Sequence, residues 1–91
     1  MTGKIKVLIA DDHALMREGL RKILEMEEDI VVVGEAVDGL DAVNQARALR
    51  PHVVLMDINM PAGGGLAATR AIRRELPDVD VIVLTIHDDE E

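Results

Sequence analysis

KVLIADDHALMREGL, residues 6–20, holds the pattern on which the fold turns. The apolar run Val7-Leu8-Ile9-Ala10 ends at two acids, Asp11 and Asp12, and helical spacing of apolar residues follows. A short unbroken apolar run bounded by polar residues reads as a buried strand. The reading is a strand over 4–10 and then a helix over 14–26, capped by Asp12 or His13. Leu15, Met16, Leu20, Ile23 and Leu24 form the apolar stripe of that helix.

The same strand signature recurs twice, in VVLMDINMP (53–61) and VIVLTIH (81–87). Between them the chain alternates. The β-branched run 30–33 is a second strand, and Asp38-Gly39 is a turn whose Asp38 can cap a helix over 40–49. That helix is expected to place Leu40, Val43, Ala46 and Leu49 inward and to stop at Pro51. A third strand over 53–56 ends at Asp57. Residues 59–65, with Pro61 and glycines at 63, 64 and 65, read as a flexible loop into a helix over 66–76. Leu66, Ile72 and Leu76 are its expected buried face. Pro77-Asp78 breaks that helix, and a fourth strand runs over 79–86, from Val79 to Ile86, apolar enough to be covered on both faces. The order βαβαβαβ with short connections predicts a doubly wound parallel α/β sheet. Such sheets bind ligands beyond the carboxyl ends of their strands.

Composition bounds the alternatives. Ninety-one residues with 48% apolar content make one domain or part of one, with no internal boundary. There is no Phe, Tyr or Trp, so the core must be aliphatic. Zero cysteines exclude disulfides and thiolate metal sites and fit a reducing compartment. No apolar stretch approaches the ~20 residues of a membrane helix, and the first residues do not form a signal peptide. A net charge of −8 argues against direct contact with nucleic acid, whose phosphates demand a basic face. It suits a cation site.

That site is placed by topology. If the three runs are parallel strands, Asp11, Asp12, Asp57 and Thr85 emerge at one edge of one sheet. At ~4 Å and an effective dielectric of ~20, each like-charge carboxylate pair costs roughly 4 kcal/mol, which a bound cation relieves. Taken singly, an Asp can cap a helix and a Thr can belong to a strand; their common placement carries the signal. Oxygen donors, with no His or Cys read at ligand spacing, favour Mg²⁺ over Zn²⁺. An Asp beside such an ion can attack phosphorus and carry an aspartyl phosphate, with Thr85 donating to a phosphoryl oxygen. His13 and His87 lie near the expected site and read as surface or capping residues. His52 lies away from it. Arg70, Arg73 and Arg74 read as a basic helical patch, solvated or pairing with Glu75 and its neighbours.

VLIADDHALMREGL, VVGEA, DINMP and VLTIHDDEE resemble the receiver domain of NarL/FixJ (LuxR-type) two-component response regulators, along the whole chain. The resemblance implies a flavodoxin-like fold and a cytoplasmic signalling domain rather than an enzyme, capable at most of self-catalysed phosphotransfer and dephosphorylation. It implies that Asp57 is the phosphoacceptor, charged by a sensor histidine kinase. Asp11 and Asp12 match the acids that position Mg²⁺, Asn59 matches the residue whose backbone carbonyl completes the metal's ligands, and Thr85 matches the switch hydroxyl. The loop from Pro61 to Gly65 departs from the family's usual, more polar turn.

Receivers of this family continue through a further helix, strand and helix, bringing a Lys that pairs with the phosphoryl group and an aromatic switch residue. Neither lies within residues 1–91, and Lys4 and Lys6 sit at the opposite end of the first strand. The expectation is the amino-terminal portion of a receiver, without its DNA-binding domain and with impaired phosphorylation. An alternative of another class is a fragment that self-associates or domain-swaps through 79–86. A haloacid-dehalogenase-type phosphatase is disfavoured, because the general acid it needs two residues after Asp57 is here Asn59. The three glycines do not form a phosphate loop, since no Lys-Ser/Thr follows.

Overall fold

The apolar runs pair as one parallel sheet in the computed structural model, which describes residues 3–85. Strands β1 (Ile5–Ala10), β2 (Ile30–Ala36), β3 (Val53–Asp57) and β4 (Asp80–Leu84) stand in the order β2-β1-β3-β4. Helices α1 (Ala14–Leu24), α2 (Gly39–Leu49) and α3 (Gly64–Glu75) connect them, and a 3-10 turn at Pro61–Gly63 precedes α3. This is the doubly wound, flavodoxin-like arrangement that the sequence predicts. Its switch point falls between β1 and β3, where successive connections leave on opposite faces of the sheet. Ile86, the expected end of the fourth strand, and the acidic run from His87 to Glu91 lie outside the described residues.

Alternation along the strands divides the core in two. Leu8 and Ala10 of β1, Val54 and Met56 of β3 and Ala36 of β2 face α2 and α3, meeting Ala42, Val43, Ala46, Ala68, Ile72 and Leu76. Val7, Ile9 and Val32 face the other way, against Leu20 and Leu24 of α1. Leu8, Ile9, Val54, Met56 and Ile72 have no exposed surface. Truncating any of them to Ala removes transfer energy and leaves a cavity, costing about 2–5 kcal/mol.

The helix stripes needed correction. Leu15 and Ile23 on α1, Leu40 and Leu49 on α2 and Leu66 on α3 are exposed rather than inward. Alanines take the inward positions on α2 and α3, because small side chains let a helix lie close to the sheet. Asp38 caps α2 as expected, accepting from the Asp41 amide at 2.8 Å. The helix ends at Arg50, in the left-handed region at φ 49°, one residue before Pro51. α1 stops at Leu24, two residues short of expectation, with Arg21 and Lys22 in its last turn against the helix dipole.

β2 runs to Ala36, three residues beyond the expected end, since Gly34, Glu35 and Ala36 pair with Leu8, Ile9 and Ala10. A bulge interrupts this pairing: Val7 meets Val32, but Leu8 meets Gly34, so Val33 is the extra residue. The bulge reverses the alternation. Gly34 therefore faces α2, where an added Cβ would lie 2.5 Å from the Gln45 side chain, and Glu35 faces α1. The fourth strand also departs from expectation. Ile82 is 51% and Val83 39% exposed, so among the described residues β4 is an edge strand that is not covered on both faces.

Two of the three loop glycines are not hinges. Only Gly63 has a positive φ, 67°, while Gly64 and Gly65 open α3 in helical conformation. Gly65 packs so closely on β3 that an added Cβ would lie 2.3 Å from the Asp57 carbonyl oxygen. Gly19 is the opposite case. It sits inside α1, and an added Cβ would meet nothing within 4 Å, so no contact requires a glycine there. Gly19→Ala is expected to stabilise the fold by about 1 kcal/mol through helix propensity, read as a higher urea midpoint at unchanged slope.

Candidate functional site

The carboxyl ends of β1 and β3 bring the predicted acids together. Asp11 follows β1 directly and is 2% exposed; Asp57 closes β3 and is 5% exposed. One ligand atom from each of Asp11, Asp12, His13 and Asp57 falls within a 4.8 Å group. Asp11 and Asp57 are the buried polar residues of the molecule among those described. Their position is enforced by the chain: the Asp11 amide donates to Ala36 O at 3.0 Å, and the Ile58 amide to Leu84 O at 3.2 Å.

Local turns orient the carboxylates. Asp11 Oδ1 accepts from the His13 amide at 2.8 Å, and Asp57 Oδ1 accepts from the Asn59 amide at 2.9 Å. Both are Asx-type turns, which explains why an Asp can stand at each strand end without a helix to cap. Asp12 differs. Its Oδ1 is buried and has no hydrogen-bond partner, although His13 Nδ1 lies 3.1 Å away. A buried carboxylate oxygen without a hydrogen bond is costly, and a cation among oxygen donors relieves that cost. On this observation the donor set fits a hard divalent ion.

Asn59 lines a cleft of about 370 Å³ together with Asp11, His13, Leu15, Met16 and Asp57. Thr85 is exposed and stands one residue beyond Leu84, which is the β4 partner of Asp57. It thus shares the sheet edge with the acids. His13 corrects the expectation of no histidine at ligand spacing. Its ring nitrogen Nδ1 lies 3.2 Å from Asp11 Oδ1, and it occupies the N-cap position of α1 without a side-chain capping bond. The helix starts one residue after it, which turns its ring back over the acids. His52 lies at the other end of the sheet as expected, where its Nδ1 accepts from the Lys6 amide at 2.8 Å. Glu75, expected to pair with the arginine face of α3, makes its ion pair with Arg47 of α2, at 2.8 Å.

Sequence reading missed one group of residues beside the acids. Arg17 Nη1 donates to the Asp11 carbonyl at 2.8 Å, and its Nε to Glu35 Oε1 at 3.1 Å. Arg21 Nε donates to the other Glu35 oxygen at 2.7 Å. Two arginines four residues apart on α1, and one acid in an otherwise apolar β2, were the available signal. Hydrogen bonds from Arg21 and then Arg17 hold the Glu35 carboxyl below its ordinary value of 4.5. A folded-state pKa below the unfolded one stabilises the fold above the unfolded value, and that stability is lost as pH falls through the folded value. The stability difference between wild type and Glu35→Gln, about 1 kcal/mol for a part-exposed pair, should hold from neutral pH to about 5 and shrink below it. Urea titrations at several pH values test this.

A flavodoxin-like sheet with buried acids at its switch point defines a class, the α/β domains whose chemistry sits at the carboxyl ends of β1 and β3. Comparison with known proteins narrows it. Residues 7–91 match the response regulator receiver domain family. The chain is 51% identical over 88 residues to the transcriptional regulatory protein DegU of Brevibacillus brevis, covering 97% of this chain and 37% of that protein. It is 55% identical over 83 residues to the response regulator UvrY of Escherichia coli O157:H7, covering 91% and 38%. The receiver domain of the putative response regulator NarL from Mycobacterium tuberculosis superposes with a TM-score of 0.87 at 35% identity, covering 97% of this chain and 71% of that one. The chain belongs to the receiver domain family of two-component response regulators, in its NarL/FixJ branch. It spans under two-fifths of the length of these curated relatives. Receivers are signalling domains rather than classical enzymes. No helix among the described residues is long and apolar enough to cross a membrane.

Proposed function

We propose that this chain is a cytoplasmic, Mg²⁺-dependent phosphoacceptor, taking a phosphoryl group on Asp57 from a sensor histidine kinase. The observation that carries this is the meeting of Asp11, Asp12 and Asp57 at the switch point, with an unsatisfied Asp12 oxygen among them. Asp11, Asp12 and Asp57 would hold Mg²⁺ through carboxylate oxygens, and Asn59 through its backbone carbonyl. When bound, the ion neutralises charge on the acids and on the incoming phosphoryl oxygens. The Asn59 amide engages Asp57 Oδ1, which leaves Oδ2 to attack phosphorus. The bond from phosphorus to the donor's leaving group breaks, that group departs with the electron pair, and an acyl phosphate remains on Asp57. Thr85 donates to a phosphoryl oxygen and so registers the modified state. Hydrolysis of the acyl phosphate at the same site would reset it. DNA is reached through the remainder of a longer regulator, since the acidic domain itself repels phosphates.

The lysines stand at positions 4, 6 and 22, with Lys4 and Lys6 at the amino-terminal end of β1. Taken alone, these 91 residues are therefore proposed to accept a phosphoryl group slowly, for want of a lysine at the carboxyl end of the sheet. Calorimetric titration with Mg²⁺ tests the metal half of the proposal. One ion bound per chain is expected, and no heat of binding would contradict it.

The exposed Ile82 and Val83 favour a second reading for the 91 residues as a free molecule, in which β4 pairs or swaps with β4 of another copy. Light-scattering mass that rises with concentration would support it, and a strict monomer would dismiss it. The two readings are compatible.

A further inference from the structure

We infer that Arg17 is a positioning residue, which anchors the Asp11 carbonyl to Glu35 of β2 and thereby sets the direction of the acidic loop. The peptide plane after Asp11 carries Asp12, so whatever holds the Asp11 carbonyl also orients the Asp12 carboxylate. On its amino side Asp11 is already fixed, its amide donating to Ala36 O at 3.0 Å. On its carboxyl side the Asx turn to the His13 amide is joined by the Arg17 guanidinium, which donates to the Asp11 carbonyl at 2.8 Å. A guanidinium on a flexible stem makes a poor anchor unless its fork is braced. Here it is braced: Nε donates to Glu35 Oε1, while Arg21 occupies Oε2 of the same carboxylate.

The brace reaches further into the fold. Arg21 Nη1 extends to Glu25 at 3.4 Å, and Glu25 Oε2 accepts from the Val32 amide at 3.3 Å, on the amino side of the bulge. Both ends of the bulged segment of β2 are thus tied to α1. The bulge is what makes the arrangement possible. Were Val33 paired in regular alternation instead of bulged, Gly34 would face α1 and Glu35 would face α2, out of reach of either arginine. Arg17 is only 16% exposed at its side chain, which limits competition from water for these bonds.

Two arginines on one carboxylate supply an internal control, because only Arg17 touches the acidic loop. Amide hydrogen exchange by NMR reads the loop without any metal. In Arg17→Gln the amides of Asp11 and His13 should exchange about tenfold faster than in wild type, the equivalent of one charge-assisted hydrogen bond. In Arg21→Gln, which loses the shorter bond to Glu35, they should stay within about twofold once the change in global stability is subtracted. Equal local acceleration in both variants, or none in Arg17→Gln, would overturn the assignment. Should Arg17→Gln fail to fold, Glu35→Gln replaces it. It leaves the Arg17–Asp11 contact and weakens its brace, and about threefold acceleration confined to the same two amides is expected; no local acceleration would refute the role.

The assignment rests on the proposed metal site only in its second readout. Mg²⁺ affinity should fall about fivefold in Arg17→Gln and remain unchanged in Arg21→Gln. A wild-type chain that binds no Mg²⁺ would count against the metal reading, and the exchange result would still judge Arg17.

Discussion

Asp11→Asn is expected to make the metal-free protein more stable and the metal-bound protein less so. The donor atoms of Asp11, Asp12 and Asp57 lie within 4.8 Å of one another. At that separation each carboxylate pair repels by about 1–3 kcal/mol for effective dielectrics between water and a protein surface. Asn keeps an oxygen to accept from the His13 amide, so the turn survives while the charge goes. Asp11 takes part in two such pairs, so at the solvent-screened end of that range stability without metal should rise by about 2 kcal/mol. Mg²⁺ affinity should fall about a hundredfold, since replacing a direct ligand costs at least as much as disturbing the groups behind it. At a Mg²⁺ concentration about a hundredfold above its dissociation constant, wild type gains about 2.7 kcal/mol that the variant mostly lacks. The rank order of the two unfolding midpoints should therefore reverse on adding Mg²⁺. Circular dichroism reads the transition, because the chain has no aromatic fluorophore. A variant less stable than wild type in both conditions would mean that Asp11 is a structural acid rather than a ligand.

Gly65→Ala is expected to be one of the most damaging single methyl additions to this chain. Its Cβ would lie 2.3 Å from the Asp57 carbonyl oxygen and 2.8 Å from Ile58 Cα, and backbone cannot rotate aside as a side chain can. Overpacking of this kind costs about 1–3 kcal/mol, offset by up to about 1 kcal/mol of helix propensity. A net loss of about 2 kcal/mol should lower the melting temperature by roughly 10 °C. Gly64→Ala provides the contrast. Its Cβ would meet the Gly39 amide nitrogen at 3.3 Å, a tight contact that a small shift of α2 accommodates, so its effect should be near zero. Because the Gly65 contact is with the residue that carries the proposed chemistry, Gly65→Ala should also slow phosphoryl acceptance. Equal stability of the two alanine variants would show that α3 can retreat from β3.

What was legible in the chain follows from the range of the forces involved. Apolar runs and the residues that end them are local signals, so the four strands, their order and the gathering of Asp11, Asp12 and Asp57 could be read directly. Choices made by packing were not legible. Leucine spacing put Leu40 and Leu66 inward, whereas the close approach of helix to sheet selects Ala42 and Ala68. The glycines before α3 read as freedom, whereas the contact of Gly65 with Asp57 is a matter of space. The bulge at Val33 leaves no mark in composition, yet it decides which face Glu35 occupies and so whether Arg17 has a partner. His13 was placed near the acids but read as a surface or capping residue; the capping bond it lacks and its ring's approach to Asp11 depend on where α1 begins.

The central claim is that Asp57 accepts a phosphoryl group with the help of Mg²⁺ at Asp11 and Asp12. Intact mass spectrometry after incubation with acetyl phosphate tests it most directly, on wild type and Asp57→Asn, with Mg²⁺ and with a chelator. A single phosphoryl increment, accumulating slowly, is predicted in wild type with Mg²⁺ only. An increment that persists in Asp57→Asn, or that forms equally well with the chelator, would contradict it.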